Sequence, residues 1–187
     1  MNYSLFSKWL VLTLFLSQFS FAEESGLNVL GESQGYLLIE LDVGGVAPSM
    51  KYAMRRSSRS LGEERTLALN TIDQRFYLIK LRKGVYQVTQ VLAPLYDLPY
   101  RLGAEQSSYW QFKIEPGKIN YFGRLHIKPE RLTDYVEIRR LNYIAASYDD
   151  IQDYIKTNSI PYPLSLAFAY QDDYLRELLG SLDASYN

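Results

Sequence analysis

From Tyr36 to Val43 polar and apolar residues alternate: Leu37, Ile39, Leu41 and Val43 fall on one side, Glu40 and Asp42 on the other. Successive strand side chains point to opposite faces, so this period predicts a half-buried strand. Gly44, Gly45 and Pro48 break the pattern. Met50–Arg56 then reads as a second strand, and the polar, charged Ser57–Glu64 as a loop. The clearest hairpin follows. Phe76–Leu81 places Tyr77, Ile79 and Leu81 together, Arg82-Lys83-Gly84 turns the chain, and Val85–Leu92 leaves as a β-branched and aromatic strand. Ala93–Gly103, with Pro94 and Pro99, reads as an irregular connection or edge.

Tyr109–Glu115 alternates again, with Trp110, Phe112 and Ile114 facing one way. Pro116-Gly117 supplies a turn. Ile119–Ile127 is expected to return with Ile119, Tyr121, Gly123, Leu125 and Ile127 on one face, and Tyr135–Arg140 adds a short strand with Val136 and Ile138 inward. The period changes in the last third. Ser147 is read as an N-cap with Asp149 and Asp150 in the first turn, and Tyr148, Ile151 and Ile155 carry a helix to Asn158. After Pro161 and Pro163, Leu164, Phe168, Gln171, Leu175 and Leu178 mark a second helix that Gly180 stops. Two short helices cannot enclose a core of their own, so both are expected to lie on the sheet.

Two of these segments carry a resemblance. Leu81-Arg82-Lys83-Gly84-Val85-Tyr86-Gln87-Val88 resembles the L-x-x-G-x-Y-x-V hairpin of transthyretin-like and carboxypeptidase-regulatory-like β-sandwich modules. Phe112-Lys113-Ile114-Glu115-Pro116-Gly117, with Tyr121 and Gly123, is similar to the hairpin that follows it in exported bacterial proteins of that kind. The resemblance implies a fold and a compartment, and brings no catalytic residue. The fold class expected is therefore mainly β: an antiparallel β-sandwich, transthyretin-like or Ig-like, with two C-terminal α-helices at about 147–180.

The first 22 residues change the setting. Lys8, the apolar run Trp9–Leu16 and the small-residue site Ser20-Phe21-Ala22 have the order of a secretory signal peptide, and the run is too short for a spanning helix. Its removal leaves residues 23–187 as a single domain, large enough to bury a core without crosslinks. The chain has no cysteine, and residues 23–187 have no Asn-x-Ser/Thr acceptor. With the leader, these absences point to the bacterial periplasm or cell exterior. No lipobox cysteine is present, so no transmembrane or lipid anchor is expected after cleavage.

Charge and chemistry narrow function mostly by exclusion. The 20 basic and 21 acidic residues nearly balance, which argues against a nucleic-acid partner. The local excess of Lys51, Arg55, Arg56, Arg59 and Arg65 reads as a solvated strand edge and loop, with an anionic lipid or polysaccharide contact as the sharper alternative. Thiol chemistry is excluded, and a single histidine, His126, excludes a multi-histidine metal site. His126 projects opposite Leu125 and Ile127, as a surface residue, and no G-x-S-x-G turn accompanies it. Asp149, Asp150 and Asp153, and the pair Asp172-Asp173, lack the spacing of a cation loop and read as solvated helix acids.

Tyrosine is the unusual count, at 17. Tyr joins an apolar body to a hydrogen-bonding tip, which suits half-buried strands, sugar stacking and protein contacts alike. Tyr96, Tyr100, Tyr109, Tyr162 and Tyr170 are the candidate ligand-binding residues. The function expected is that of an exported, non-enzymatic envelope accessory protein acting by protein binding or scaffolding. A glycan or peptidoglycan-binding module using the same aromatics is the alternative, and a carboxylate-dependent hydrolase the second. No catalytic residue, metal or cofactor is assigned. The partner expected is an envelope protein or cell-wall glycan.

Overall fold

The computed structural model describes residues 29–44, 47–69, 74–95, 98–129 and 136–168. Within them the order is β1 (Gln34–Asp42), β2 (Ser49–Arg55), β3 (Leu61–Ala68), β4 (Phe76–Arg82), β5 (Gly84–Leu95) and β6 (Leu98–Gly103). A 3-10 turn at Ser108–Trp110 leads into β7 (Gln111–Ile114), then β8 (Ile119–Pro129), β9 (Val136–Leu141), α1 (Ile144–Thr157) and β10 (Leu164–Leu166). The expected leader at residues 1–22 and the chain beyond residue 168 lie outside the described residues.

The strands form two five-stranded sheets. In the first, β1 lies between β4 and β8, while β10 pairs with the start of β8 and β9 with its end. In the second, β2 lies between β3 and β5, and β6 and β7 pair with opposite halves of β5. The second sheet is antiparallel. The first is mixed, because β8 runs parallel to both β1 and β10. The expectation of an antiparallel sandwich therefore needs correcting for one sheet.

The cause lies in the two supposed hairpins. β4 hydrogen-bonds to β1 and β5 to β2, so Arg82-Lys83-Gly84 is a corner between sheets, where the Lys83 amide donates to the Ser33 carbonyl at 2.7 Å. β7 and β8 likewise belong to different sheets, joined through Gly117 at φ +65°. Alternation identifies the inward face of each strand, and a hairpin or a sheet-to-sheet corner satisfies it equally well. Tyr77, Ile79 and Leu81 do face the same core as Val88 and Val91.

That core lies between the sheets. Leu37, Ile39, Leu125 and Ile127 meet Met50, Val88, Phe112 and Ile114 across it. Phe112 stacks on Tyr86 at 5.2 Å and meets Phe122 edge-on at 5.5 Å. A second core fills the space between the outer face of the first sheet and α1: Tyr36, Leu38, Ile119 and Tyr121 pack with Ile144, Ile151 and Ile155. The apolar stripe of α1 therefore covers the strand, and β1 is buried on both faces instead of one. The chain after β10 ties the sheets together. The Ala167 amide donates to Tyr121 at 2.9 Å, and its carbonyl accepts from Lys113.

Further expectations change for local reasons. Leu61–Glu64 belongs to edge strand β3, where Glu63–Thr66 are exposed and polar residues are tolerated. Of the two readings of Ala93–Gly103 the edge holds and the irregular link does not: β6 is an edge strand of the second sheet, paired with β5 through Pro94 and Pro99. In β8, register slips by one at Phe122–Gly123, with Leu38 opposite Tyr121 and Ile39 opposite Gly123. The extra residue reverses the pleat, so Ile119 and Tyr121 face α1 while Leu125 and Ile127 face the sandwich core. Leu164–Leu166, expected to open a helix, is strand β10; α1 is the helix found among the described residues. None there is long and apolar enough to cross a membrane.

Candidate functional site

Glu40 is the centre of a buried polar cluster. Its place in β1 points it away from the sandwich core and under α1, where it is fully buried. One carboxylate oxygen accepts from Arg75 Nε at 3.0 Å, Arg124 Nη2 at 2.6 Å and Ser147 Oγ at 2.9 Å. The other accepts from the Tyr121 hydroxyl at 2.7 Å. The bulge at Gly123 makes this possible. Without the added residue, Arg124 would face the apolar core; with it, Arg124 lies beside Glu40 in the ladder. Arg75 also reaches Asp150 of α1, and Tyr143 lies over the Arg124 guanidinium at 3.7 Å.

Burial alone would raise the Glu40 pKa, but the bonds from Arg124, Tyr121, Ser147 and Arg75 outweigh it and hold it below the usual carboxylate value. Burial, then hydrogen bonding to Glu40, pushes the Tyr121 hydroxyl well above its ordinary value. Three of these donors converge on one carboxylate oxygen and one on the other, so the fold grips the carboxylate from both oxygens. The arrangement is a latch that fastens α1 to the sheet. Sequence reading placed Glu40 simply on the polar face of a strand. It also assigned Ser147 as an N-cap, whereas Tyr143 is the cap residue and Ser147 is buried inside the helix.

A second constellation sits at the turn between β7 and β8. Asn120 is fully buried, and its amide nitrogen donates to the carbonyls of Tyr36, Glu115 and Lys118 while its oxygen accepts from the Glu115 amide. Glu115 in turn binds Lys113 at 2.9 Å and Lys118 at 2.8 Å. Those two ammoniums lower its pKa to about 2. Lys83 and Gly84 of the neighbouring corner, with residues 113–116 and Lys118, line an open cleft of about 660 Å³.

The tyrosines named from sequence separate. Tyr109 is 50% exposed, stands edge-on to Trp110 at 5.8 Å, and has the Arg140 guanidinium 4.7 Å from its ring. Arg140 is buried and donates to the Gln111 carbonyl at 2.9 Å, and its pKa is lowered by that burial. Tyr162 is a strut: its hydroxyl accepts from the Leu30 amide at 2.8 Å and its ring packs on Tyr36. Tyr100 lies in β6 opposite Ala93. Tyr96 and Tyr170 fall outside the described residues. Tyr143, 41% exposed over Arg124, was not among those named from sequence.

His126 sits opposite the core-facing Leu125 and Ile127, as expected, with Nδ1 2.8 Å from Asp42 and Nε2 4.0 Å from Glu137. Asp149, Asp150 and Asp153 are exposed on α1, and Asp172-Asp173 lie outside the described residues. Among the described residues no group of three or more His, Asp or Glu side chains is placed to hold a metal ion.

By this architecture the chain is a mainly β, two-sheet sandwich protein with a helix latched to one sheet. No family model matches the sequence, and no curated protein matches it. Among solved structures it is similar to one described as a disulfide-locked mutant of intermedilysin with human CD59, at 15% identity and a TM-score of 0.26. That likeness covers 58% of this chain, which spans 24% of the other. It carries no argument about function.

Proposed function

We propose that this is an exported, non-enzymatic accessory or interaction protein of the bacterial envelope, and that it binds a protein partner through the surface centred on Tyr109. The observation that carries this reading is the support beneath that ring. Trp110 and Arg140 hold it from below while half of its surface faces solvent. A rigid aromatic with a polar tip offers large contact area at small conformational cost, as anchors at interfaces do. The Glu40 cluster is read as structural, because its carboxylate is fully buried under α1 and engaged by four side chains of the fold itself.

The test is capture of partners from envelope extracts with the wild-type chain and with Tyr109→Ala, after confirming equal thermal unfolding. Loss of a partner, with binding at least about ten-fold weaker, is expected for an anchor of this kind. Identical capture by the two proteins would sink the assignment. A flat, supported ring also suits sugar stacking, so the second reading is a glycan or peptidoglycan-binding module. Sedimentation with purified cell wall separates the two. The hydrolase reading gains no support, because Asp149, Asp150 and Asp153 are strung along one exposed helix and Asp150 is tied to Arg75.

A further inference from the structure

We propose that β4 pairs with β4 of a second copy of this chain, joining two first sheets edge to edge about a two-fold axis at Leu78. The Tyr109 surface plays no part in this contact. β4 ends the first sheet and β3 the second, and the two edges are guarded differently. β3 exposes Glu63, Glu64, Arg65 and Thr66, and such charges discourage pairing with another strand. The middle of β4 has no such guard: Tyr77, Leu78 and Ile79 are each half-buried, one after another. Successive side chains point to opposite faces, so this run of three records an opening at the flank of the strand. In the neighbouring β1, by contrast, every residue from Gly35 to Leu41 is buried. Among the described residues no strand pairs with the outer flank of β4.

The ladder fixes which backbone groups face outward. The Leu41 amide donates to the Arg75 carbonyl at 2.7 Å, in the register that sets Ile39 opposite Tyr77 and Leu37 opposite Ile79. Bonded and non-bonded pairs alternate along an antiparallel ladder. Odd-numbered residues of β4 therefore turn their amides and carbonyls to β1, and Leu78 turns its own outward. On β1 the same alternation sends the Tyr36 amide the other way, to the Lys118 carbonyl at 2.9 Å. The Tyr86 hydroxyl donates to the Arg82 carbonyl at 2.8 Å, which closes the edge at its C-terminal end and leaves Leu78 central.

An apolar edge of this kind is a template for another strand, and the sequence is suited to meeting itself there. With Leu78 on the axis, Tyr77 falls opposite Ile79 of the second copy on the core side, twice over. Aromatic and β-branched residues make favourable cross-strand pairs. Arg82 falls opposite Gln74 and Arg75 opposite Leu81, so no cation opposes a cation. A two-fold contact closes on itself, which gives a dimer and no open fibre. With 20 basic and 21 acidic residues in the chain, little net charge resists the association.

A single strand pair is a small interface, so the dimer should be reversible and concentration-dependent. The experiment measures the mass of the protein across a dilution series by analytical ultracentrifugation, with amide hydrogen exchange on the same samples. At high concentration a dimer is expected, with the Leu78 amide protected. On dilution that amide should lose its protection, while those of Tyr77 and Ile79, bonded to β1, should keep theirs. Leu78→Lys and Leu78→Glu should each weaken the dimer at least about ten-fold, because each charge meets its own copy at the axis. Mixing the two variants should restore a dimer, one copy of each. Glu63→Lys, on the edge of β3, should dimerise as the wild type does. The exchange measurement uses the wild-type chain alone, so it decides the matter even where a charge at Leu78 impairs folding. A monomer at every concentration, a Leu78 amide still protected at high dilution, or a dimer whose protection lies on other strands would overturn the proposal. Folded Leu78 variants that dimerise unchanged, or that fail to recover on mixing, would do the same.

Discussion

The Ser147 hydroxyl donates to the Glu40 carboxylate at 2.9 Å across 107 residues of chain. This contact joins the inner turn of α1 to the middle of the first sheet. Arg75 and Arg124 complete it, one from the residue just before β4 and one from β8, and each also lies within hydrogen-bond distance of Ser147 Oγ. Apolar packing of Ile144, Ile151 and Ile155 drives the helix onto the sheet without specifying its position along the strands. The latch supplies that position, because a buried carboxylate among these donors tolerates little displacement.

Removing the carboxylate leaves two guanidinium groups without their shared partner. Glu40→Ala is expected to lower stability by about 3–5 kcal/mol, the scale for breaking a buried charge pair from one side. Ser147→Ala should cost about 1.5–3 kcal/mol, as one hydrogen bond to a charged group. Urea unfolding at neutral pH measures both. A Glu40→Ala effect under about 1 kcal/mol would show that the cluster does not hold the helix.

The same carboxylate makes stability depend on acid. The folded pKa of Glu40 lies below its ordinary value, so its contribution is fully present above the unfolded pKa and is lost as pH falls through the folded one. Glu115 behaves alike, with loss between about 4.5 and about 2. Unfolding midpoints should fall steeply below pH 4.5, and less steeply in Glu40→Gln. A carbon-detected titration should place the Glu115 midpoint near 2, and Lys118→Gln should move it back up. A Glu115 midpoint above 4 in the wild-type chain would contradict the ion-pair geometry.

Gly123 carries the bulge that turns Arg124 toward Glu40. Its φ is +108°, and a Cβ would stand 2.7 Å from the Leu141 carbonyl. Gly35 has the comparable clash with Glu115. Alanine at either position is expected to cost about 3 kcal/mol or more, combining overpacking with backbone strain at Gly123. Gly103→Ala is the control, because nothing lies within 4 Å of its Cβ position; about 0.5 kcal/mol or less is expected there. Equal thermal shifts in the three variants would refute the account.

The end of α1 offers a gain. Ser159 takes φ +51°, the Ile160 amide bonds the Ile155 carbonyl at 3.1 Å, and the Ser159 amide bonds Lys156 at 3.0 Å. This left-handed stop usually carries glycine. Ser159→Gly should stabilise the protein by about 0.5–1 kcal/mol, since the strain relieved exceeds the added freedom of the unfolded chain. A lower melting temperature in that variant would argue against the geometry.

Alternation along Tyr36–Val43 and Phe76–Leu81 was enough to locate strands and to pick the residues that face the sandwich core; along Tyr109–Glu115 it located β7, while Tyr109 and Trp110 lie in the 3-10 turn before that strand. Val136 and Ile138 were legible in the same way, as was the helix around Ile151 and Ile155. The candidate sites were less legible. Tyr109 stood out as an aromatic on the outward strand phase, while Glu40, Arg124 and Asn120 read as ordinary polar strand residues.

The sequence by itself determined a mainly β chain, the phases of its unbulged strands and most of its core, because side-chain direction follows from local backbone period. Only the tertiary structure decided which strands pair. It showed that both motif-bearing links cross between sheets, that β8 reverses its pleat at Gly123, and that α1 buries the polar face of β1. These outcomes depend on hydrogen bonds and packing between residues far apart in the chain. A period of two records which way a side chain points, and carries no information about what it will meet there.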